Sequence, residues 1–464
     1  MDNTLDNLVS LCKRRGFVIP SSEIYGGLNG IYDFGSYGVE LKNNIKKLWW
    51  QRFVQEREDI VGMESAILMS RQVWQASGHE KEFIDQLVEC KKCHMRFRSD
   101  EIANSKVKVQ NSKEGCPQGG EHEFTEPKKF NPMFKTYVGP VEDEKNMTYL
   151  RPETAQGIFV DFSQILTTSR QKIPFGIAQI GKSFRNEINT KDFLFRIREF
   201  EIAEIEYFVP SPEASGQAPS ISSEQVEEDE KYFKKWVEEW QKFILDLGIK
   251  KENLKLYQHP KETLAHYSKK TIDIMYNFPF GWKELAGIAN RADFDLKTHQ
   301  SKSGKDLSYF DQETGKKFTP YVIEPTIGIE RLMLAVLIDA FEESKPRTTT
   351  TEVTHEKEII LHLNPAIAPV KIAVFPLIKK DKLPELAKLI YKELQKNWLV
   401  EYDETGSIGR RYRRQDEIGT PYCVTVDHDS LKQKDVTVRD RDTMEQERIK
   451  IDQLPDYFRE KLIR

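Results

Sequence analysis

Phe184-Arg185-Asn186-Glu187 and, after a short charged connection, Phe195-Arg196-Ile197-Arg198-Glu199-Phe200 form the most informative stretch of this 464-residue chain. Before it, Phe175, Ile177 and Gln179–Ile180 read as a strand; from Phe200 to Phe208 the pattern reads as a second one. Two strands joined by a loop bring Arg185, Glu187 and Arg198 near one another. An arginine at a strand end can hold an α-phosphate through two parallel hydrogen bonds, because its planar fork matches phosphate oxygens. Glu187 could accept from an adenine amino group, and Phe200 could stack on the ring. The same residues would also suit a solvated hairpin laced with surface ion pairs, each worth about 0–1 kcal/mol.

A second anchor lies further on. Glu324-Pro325-Thr326-Ile327-Gly328-Ile329-Glu330-Arg331 runs as a strand into the apolar helix Leu332 to Phe341, and Gly281-Trp282-Lys283-Glu284-Leu285-Ala286-Gly287 precedes it. Around these anchors the chain reads as helices and strands. Leu5, Leu8, Val9 and Cys12 mark a helix over 5–15 that Gly16 stops, and Leu41, Ile45, Leu48, Trp49 and Phe53 mark another over ~39–55. Residues 88–130 are polar and broken by Gly and Pro, and 211–225 read as a solvated loop. Val226 to Leu247 carries Phe233, Trp236, Val237, Trp240 and Ile244 on one helical face. A polar run at Lys345–Glu358 marks a domain boundary. Beyond it, strands at Ile372–Phe375, Leu399–Tyr402, Tyr422–Val426 and Val436–Val438 and a helix at ~383–397 predict a small α/β unit.

Composition narrows the class. The length suggests two or three domains of ~100–200 residues. No apolar run approaches the ~20 residues of a membrane span, so no membrane role is expected. Met1 to Leu11 carries acids and lacks the plan of a signal peptide, which predicts a cytoplasmic protein. Seventy basic residues against 74 acidic ones give a net charge of −4, so any RNA binding must use local patches. Five unevenly placed cysteines are too few for a disulfide framework and fit a reducing compartment.

The FRNE segment, the loop and the run FRxREFExxExEYF resemble motif 2 of the class II aminoacyl-tRNA synthetases, in the form found in the dimeric (α2) glycyl-tRNA synthetases. The 324–331 stretch resembles motif 3. Gly30-Ile31-Tyr32-Asp33-Phe34-Gly35 and Glu64 to His79 resemble motif 1, with Arg71 where the family commonly carries proline. The resemblance implies an α/β protein. Residues 1–355 would form an α+β catalytic domain on an antiparallel sheet flanked by helices, with insertions at about 88–130 and, helical, at about 211–270. Residues 356–464 would form a mixed α/β anticodon-binding domain.

The activity implied is glycine–tRNA ligation: ATP activates glycine to glycyl-adenylate, which then loads tRNA(Gly). Arg185 would act on the α-phosphate and the new acyl bond, and Arg331 on the terminal phosphates. Asn186, Glu187, Phe195, Arg196, Ile197, Arg198, Glu199, Phe200, Leu285, Gly328, Ile329 and Glu330 would complete the ATP site, with Glu284 beside the phosphates and Mg²⁺. Glycine would be held by Arg98, Glu153, Phe200, Glu201, Ile202, Ala203, Glu204, Glu206, Glu324, Pro325, Thr326, Ile327 and Gly328. Chemistry agrees with the acids in that set. Glycine's roughly five heavy atoms cap its affinity near ~7 kcal/mol, so its ammonium must supply much of the binding. Thr326 would close the space a side chain needs. No protein nucleophile is required, since carboxylate attacks phosphate directly and catalysis is positioning plus charge neutralisation.

Two further patterns carry over. Cys90-x-x-Cys93 with Cys116 resembles a zinc knuckle, but Cys116-Pro117-Gln118-Gly119 has glycine where the family has a fourth cysteine. His94 and His122 are the available fourth ligands for Zn²⁺. Pro365 to Lys371 and Gly409-Arg410-Arg411-Tyr412-Arg413-Arg414-Gln415 resemble the anticodon-binding domain, where four arginines around one tyrosine would grip phosphate and stack a base. A homodimer is expected.

Overall fold

The computed structural model describes residues 4–99, 102, 116–212, 228–344 and 358–462. Helix α1 (Thr4–Arg15) buries Leu8, Leu11 and Cys12, the stripe its spacing predicts. Helix α2 (Ser36–Trp50) buries Leu41, Ile45 and Trp49 and continues through one wider turn, Gln51–Gln55, that carries Phe53 inward. Then follow β1 (Ile60–Gly62), α3 (Ala155–Ser169), β2 (Phe175–Phe184), β3 (Glu199–Val209), α4 (Glu228–Asp246), β4 (Leu254–Gln258), β5 (Lys270–Phe278), β6 (Gly281–Ala292), α5 (Phe294–Ser303), β7 (Tyr321–Gly328) and α6 (Ile329–Ala340).

The strands form one seven-stranded sheet in the order β4-β5-β6-β7-β3-β2-β1, antiparallel throughout except at the β2–β1 pair. Strand alternation then sorts the residues of β3. Ala203, Ile205, Tyr207 and Val209 join the large core with Phe53, Trp236, Trp240, Leu332 and Met333 from the helices behind. Burying each such side chain contributes about 1.5–3 kcal/mol. On the other face, Phe208 packs with Phe175, Ile177 and the α3 residues Phe159 and Phe162. Further along that same face stand Phe200, Ile202, Glu204 and Glu206, and this polar end of the sheet carries the site.

Helix α4 corrects one expectation. It was anticipated inside an insertion over about 211–270, yet its stripe Phe233, Trp236, Trp240 and Ile244 belongs to the main core, and β4 after it extends the main sheet. The anticipated loop at 211–225 lies almost wholly outside the described residues, as does the boundary stretch 345–357. Directly after that stretch, Leu361, Leu363, Ile367 and Val370 still pack into the first core.

From Ile372 a second core begins. Strands β8 (Ile372–Pro376), β9 (Val400–Tyr402), β10 (Tyr422–Val426), β11 (Asp435–Asp440) and β12 (Gln446–Lys450) form a mixed sheet ordered β9-β8-β10-β11-β12, with α7 (Leu383–Leu394) and α8 (Ile408–Ile418) between strands. The arginine run is α8 itself, and the expected RNA grip is largely spoken for. Arg411 is buried and donates to the carbonyls of Pro376 and Gly406, Arg413 pairs with Glu358 at 2.6 Å, and Arg414 pairs with Asp403. Tyr412 bonds Thr425 at 2.6 Å, stands edge-on to Phe375 and has the Arg439 guanidinium 4.8 Å from its ring centre, so it is engaged within the unit. Arg410 alone of the four is exposed. Among the described residues no helix is long and apolar enough to cross a membrane.

Candidate active site

The β2–β3 hairpin and the β7–α6 junction enclose a cleft of about 320 Å³. Arg185 sits at one side, where its Nε donates to the Pro152 carbonyl at 3.0 Å and its guanidinium lies 5.5 Å from the Phe200 ring centre. Arg331 sits opposite, in the first turn of α6. It contacts the Glu284 carboxylate at 3.3 Å and the Glu284 carbonyl at 3.0 Å, and lies 4.5 Å from the Phe195 ring centre. Both guanidinium groups are thus braced from one side and keep donors toward the cleft. Glu187, Arg196, Ile197 and Leu285 line it too. Burial pushes the Glu187 carboxyl up, while Arg185 and Arg196 pull it down.

Not every expected ATP residue lies in the cleft. Arg198 turns outward from it, donating to the carbonyls of Asn29 and Glu187 and tying the glycine-rich N-terminal loop to the hairpin. Glu199 pairs with Lys182, and the Asn186 amide donates to Pro132. Ile329 is buried in the core behind the sheet. Glu330 touches the cleft wall, but its carboxylate is committed to Lys42 at 2.5 Å and to the Glu201 amide at 2.8 Å.

The glycine set divides by the same alternation. Glu201 and Ala203 point to the far face, where Glu201 pairs with Lys42 and Lys46, so neither side chain reaches the site. Ile202, Thr326, Ile327, Gly328 and Arg98 line the cleft, and Thr326 also borders a second cavity of about 250 Å³ with Glu324 and Glu284. Register places Thr326 between Glu204 and Gly287, and Pro325 beside Ile288.

Four carboxylates meet beneath that wall. One carboxylate oxygen each of Glu204, Glu206 and Glu324 lies within 4.8 Å of the others. Burial and the Glu324 charge push Glu204 up to about 8, though Thr154 donates to it. Burial and Glu153 push Glu324 up to about 7 against the pull of Arg291, which donates at 2.9 Å. Glu206 is raised well above the carboxylate range by burial and by Glu324, and among the described residues neither of its oxygens finds a hydrogen-bond partner. Glu153 resists burial because His79 at 3.2 Å, Arg291 and Gln156 hold its carboxyl low. A buried carboxyl with no donor costs about 1–3 kcal/mol, a cost that a cation bound among these acids would remove.

Arg291 escaped the sequence reading. It is buried, binds Asp295 at 2.7 Å as well as Glu324, and lies 3.9 Å from the Tyr267 ring centre. Its spacing of four residues from Asp295 was the one available signal. Gln156, which bridges Glu153 and Asp295 at 3.0 Å each, carried none.

Outside the cleft, the cysteine knuckle assembles. Cys90, Cys93, Cys116 and His122 bring one ligand atom each to within 4.8 Å of the rest, whereas His94 bonds Glu89 instead. Burial opposes ionisation of Cys90, but the amides of Cys93, Lys92 and Glu123 and the His122 ring carry its thiol down to about 5.

An antiparallel sheet that places one arginine on the hairpin and another at a strand–helix junction, facing across one cleft, defines the class: a class II aminoacyl-tRNA synthetase. Comparison agrees. Residues 134–340 match the family model "tRNA synthetase class II core domain (G, H, P, S and T)", and residues 371–461 match "Anticodon binding domain". A glycine–tRNA ligase of Caldanaerobacter subterraneus subsp. tengcongensis is 52% identical, covering 99% of this chain and 98% of its own length. One of Thermobifida fusca is 51% identical with the same coverage, and one of Clostridium beijerinckii is 49% identical over 100% of this chain and 99% of its own. The chain belongs to the glycine–tRNA ligase family.

Proposed function

We propose that the two-arginine cleft holds ATP and that the carboxylate cluster holds the ammonium of glycine, so that this glycine–tRNA ligase joins the two across Thr326. The observation that carries the reading is the unpartnered, fully buried Glu206 carboxyl beside Glu204 and Glu324. A primary ammonium brings three donors to three acids, of which Glu204 and Glu324 accept one bond each from Thr154 and Arg291 and Glu206 accepts none among the described residues. Thr326, paired in register with Glu204, would close the space that an amino-acid side chain needs. Alanine is refused by contact rather than by a missing hydrogen bond.

The carboxylate of glycine attacks the α-phosphorus in line, the bond to the bridging oxygen breaks, and pyrophosphate leaves. Arg185 neutralises charge at the α-phosphate and Arg331 at the leaving end, while Phe200 stacks on adenine and Glu187 accepts from its amino group. Glu284 is a hard oxygen donor, half exposed at the cleft wall next to Arg331, which suits a Mg²⁺ ion shared with phosphates. That ion, when bound, screens the charge of the triphosphate. In the second step the terminal hydroxyl of the tRNA attacks the acyl carbon and AMP departs.

The 371–461 unit supports tRNA recognition outside the acceptor end. A second copy of the chain is the partner we infer for the motif 1 region, where Leu68 is exposed, as are Ile24, Tyr25 and Leu28 just before Gly30 in the chain. Arg71 opens a short helix at the position proline would suit, and it pairs with Glu80 and Glu144 instead. A cytoplasmic site of action fits the free thiols. The decisive assay is pyrophosphate exchange with each amino acid in turn. Exchange driven by glycine alone is expected, and exchange with none, or with a different amino acid, would overturn the reading.

A further inference from the structure

The strands Asp85–Glu89 and Arg96–Arg98 form a hairpin whose turn is Cys90 to Met95. Cys116 and His122 return to that turn from the far side of the chain, with Cys90 also bridging to Phe124. Cys90 Sγ and Cys116 Sγ are 3.9 Å apart, and Cys93 Sγ and His122 Nδ1 are 3.5 Å apart. A tetrahedral ion with metal–sulfur bonds of about 2.3 Å and a metal–nitrogen bond of about 2.0–2.1 Å requires edges of roughly 3.8 and 3.5 Å. The separations match both edges. They are far too long for the ~2.05 Å of a disulfide.

The fourth ligand is the informative one. Gly119 sits at φ +95 in a tight turn closed by its own amide on the Cys116 carbonyl and by the Cys116 amide on Gly120. An L-residue is strained there, so a cysteine at 119 does not suit this turn. His122, three residues on, reaches the cluster through Nδ1. Its ring is held by Phe97, 5.0 Å away and edge-on, and by Phe124, stacked at 5.7 Å.

That packing leads to the cleft. Phe97 is the neighbour of Arg98, and Arg98 pairs with Asp85 at 3.1 Å and lines the two-arginine cleft. We propose that Cys90, Cys93, Cys116 and His122 bind one zinc ion, and that this ion, through His122 and Phe97, positions Arg98 at the active-site wall. Three thiolates and one imidazole in tetrahedral array select zinc over the hard cations that accompany nucleotides. Arg98 is therefore the contact with substrate, and the knuckle is its brace. The positioning half rests on the cleft being the substrate site, whereas metal content and ligand set do not.

The test uses the full chain, purified without chelator from zinc-replete medium. Elemental analysis should find one equivalent of zinc per chain, and X-ray absorption should find three sulfurs at about 2.3 Å and one nitrogen at about 2.0–2.1 Å. His122→Ala should lose most of the metal and His122→Cys should keep it; since an alanine variant can misfold, cobalt uptake by chelator-stripped wild type, read from thiolate charge-transfer bands, is the second measure. No zinc in the wild type together with no cobalt uptake would overturn the site, as would a bound ion without a nitrogen ligand. For the brace, stripping the metal should shift substrate KM in the same sense as Arg98→Ala, and stripping Arg98→Ala should add nothing further. Additive effects would overturn the positioning role while leaving the metal site standing.

Discussion

Replacing Glu206 by glutamine separates what the carboxylate cluster costs from what it does. Glu206 is fully buried with no hydrogen-bond partner on either oxygen among the described residues, and burial with the Glu324 charge holds its carboxyl well above the ordinary 4.5. A carboxyl raised in the folded state contributes stability that is complete below its unfolded pKa and is lost as pH rises toward the folded one. As pH rises above the ordinary carboxylate range, the unfolded chain releases that proton before the folded chain does. Each pH unit over which the folded carboxyl keeps its proton while the unfolded one has lost it removes ~1.36 kcal/mol. Glutamine has no proton to lose, so Glu206→Gln should recover much of this. Without glycine, its Tm should exceed wild type by several degrees near pH 7.5, and the two should converge near pH 5. Function should move the other way. A lost charge-assisted hydrogen bond is worth about 1.5–3 kcal/mol, so the KM for glycine should rise roughly 10–100-fold at saturating ATP. Thermal melts from about pH 5 to 8 and glycine-dependent pyrophosphate exchange read both quantities. A variant less stable than wild type at about pH 7.5, with an unchanged glycine KM, would refute the reasoning.

The remaining expectations follow from the same geometry. Glu204 and Glu324, raised to about 8 and about 7, must be ionised to hold an ammonium, so the glycine KM should climb as pH falls below ~8 and more steeply below ~7, by up to tenfold per unit for each proton displaced. A KM that stays flat from about pH 6 to 8.5 would count against the cluster as the ammonium site. Arg331→Ala should lower kcat/KM for ATP by about 10²–10³, and Arg331→Lys should restore only part, because lysine lacks the fork; equal activity in both variants would remove Arg331 from the phosphate. Thr326→Gly should raise exchange with alanine relative to glycine by at least about tenfold, about 1.4 kcal/mol of lost exclusion, and an unaltered ratio would show that another group excludes the methyl.

Much of this was legible because the hairpin carries its chemistry at period two. The strands around Arg185 and Phe200, the strand–helix junction at Arg331 and the cluster of acids all follow from spacing and from the resemblance it supports. Other parts were not. Helix α4 looked peripheral because its neighbours in sequence are polar, yet Trp236 and Trp240 fill the gap behind β3 and close on Phe53, 4.6 Å from Trp240. Arg291 was hard to see because, apart from Asp295 four residues on, its partner Glu324 is distant in sequence. The arginine run of α8 misled for the converse reason: a basic helix looks like a polyanion grip until its carbonyl and carboxylate partners are known.

The expected ATP and glycine residues outside the site are not idle, and their placement explains why such motifs run as unbroken stretches. On the far face of β3, Lys42 of α2 contacts Glu201 at 2.7 Å and Glu330 at 2.5 Å, and Glu330 in turn accepts from the Glu201 amide. Motif 1 helix, motif 2 strand and motif 3 helix are thereby tied through one buried lysine. Breaking such a group by removing one partner strands a buried charge and costs about 3–5 kcal/mol. Arg198 does the same in front, fastening the N-terminal loop to the hairpin. Alternate residues of each motif therefore face the cleft, and those between them hold the frame that keeps Arg185 and Arg331 opposed. A substitution at Glu201 or Glu330 should accordingly act on activity through the separation of the two arginines rather than through lost contact with ATP.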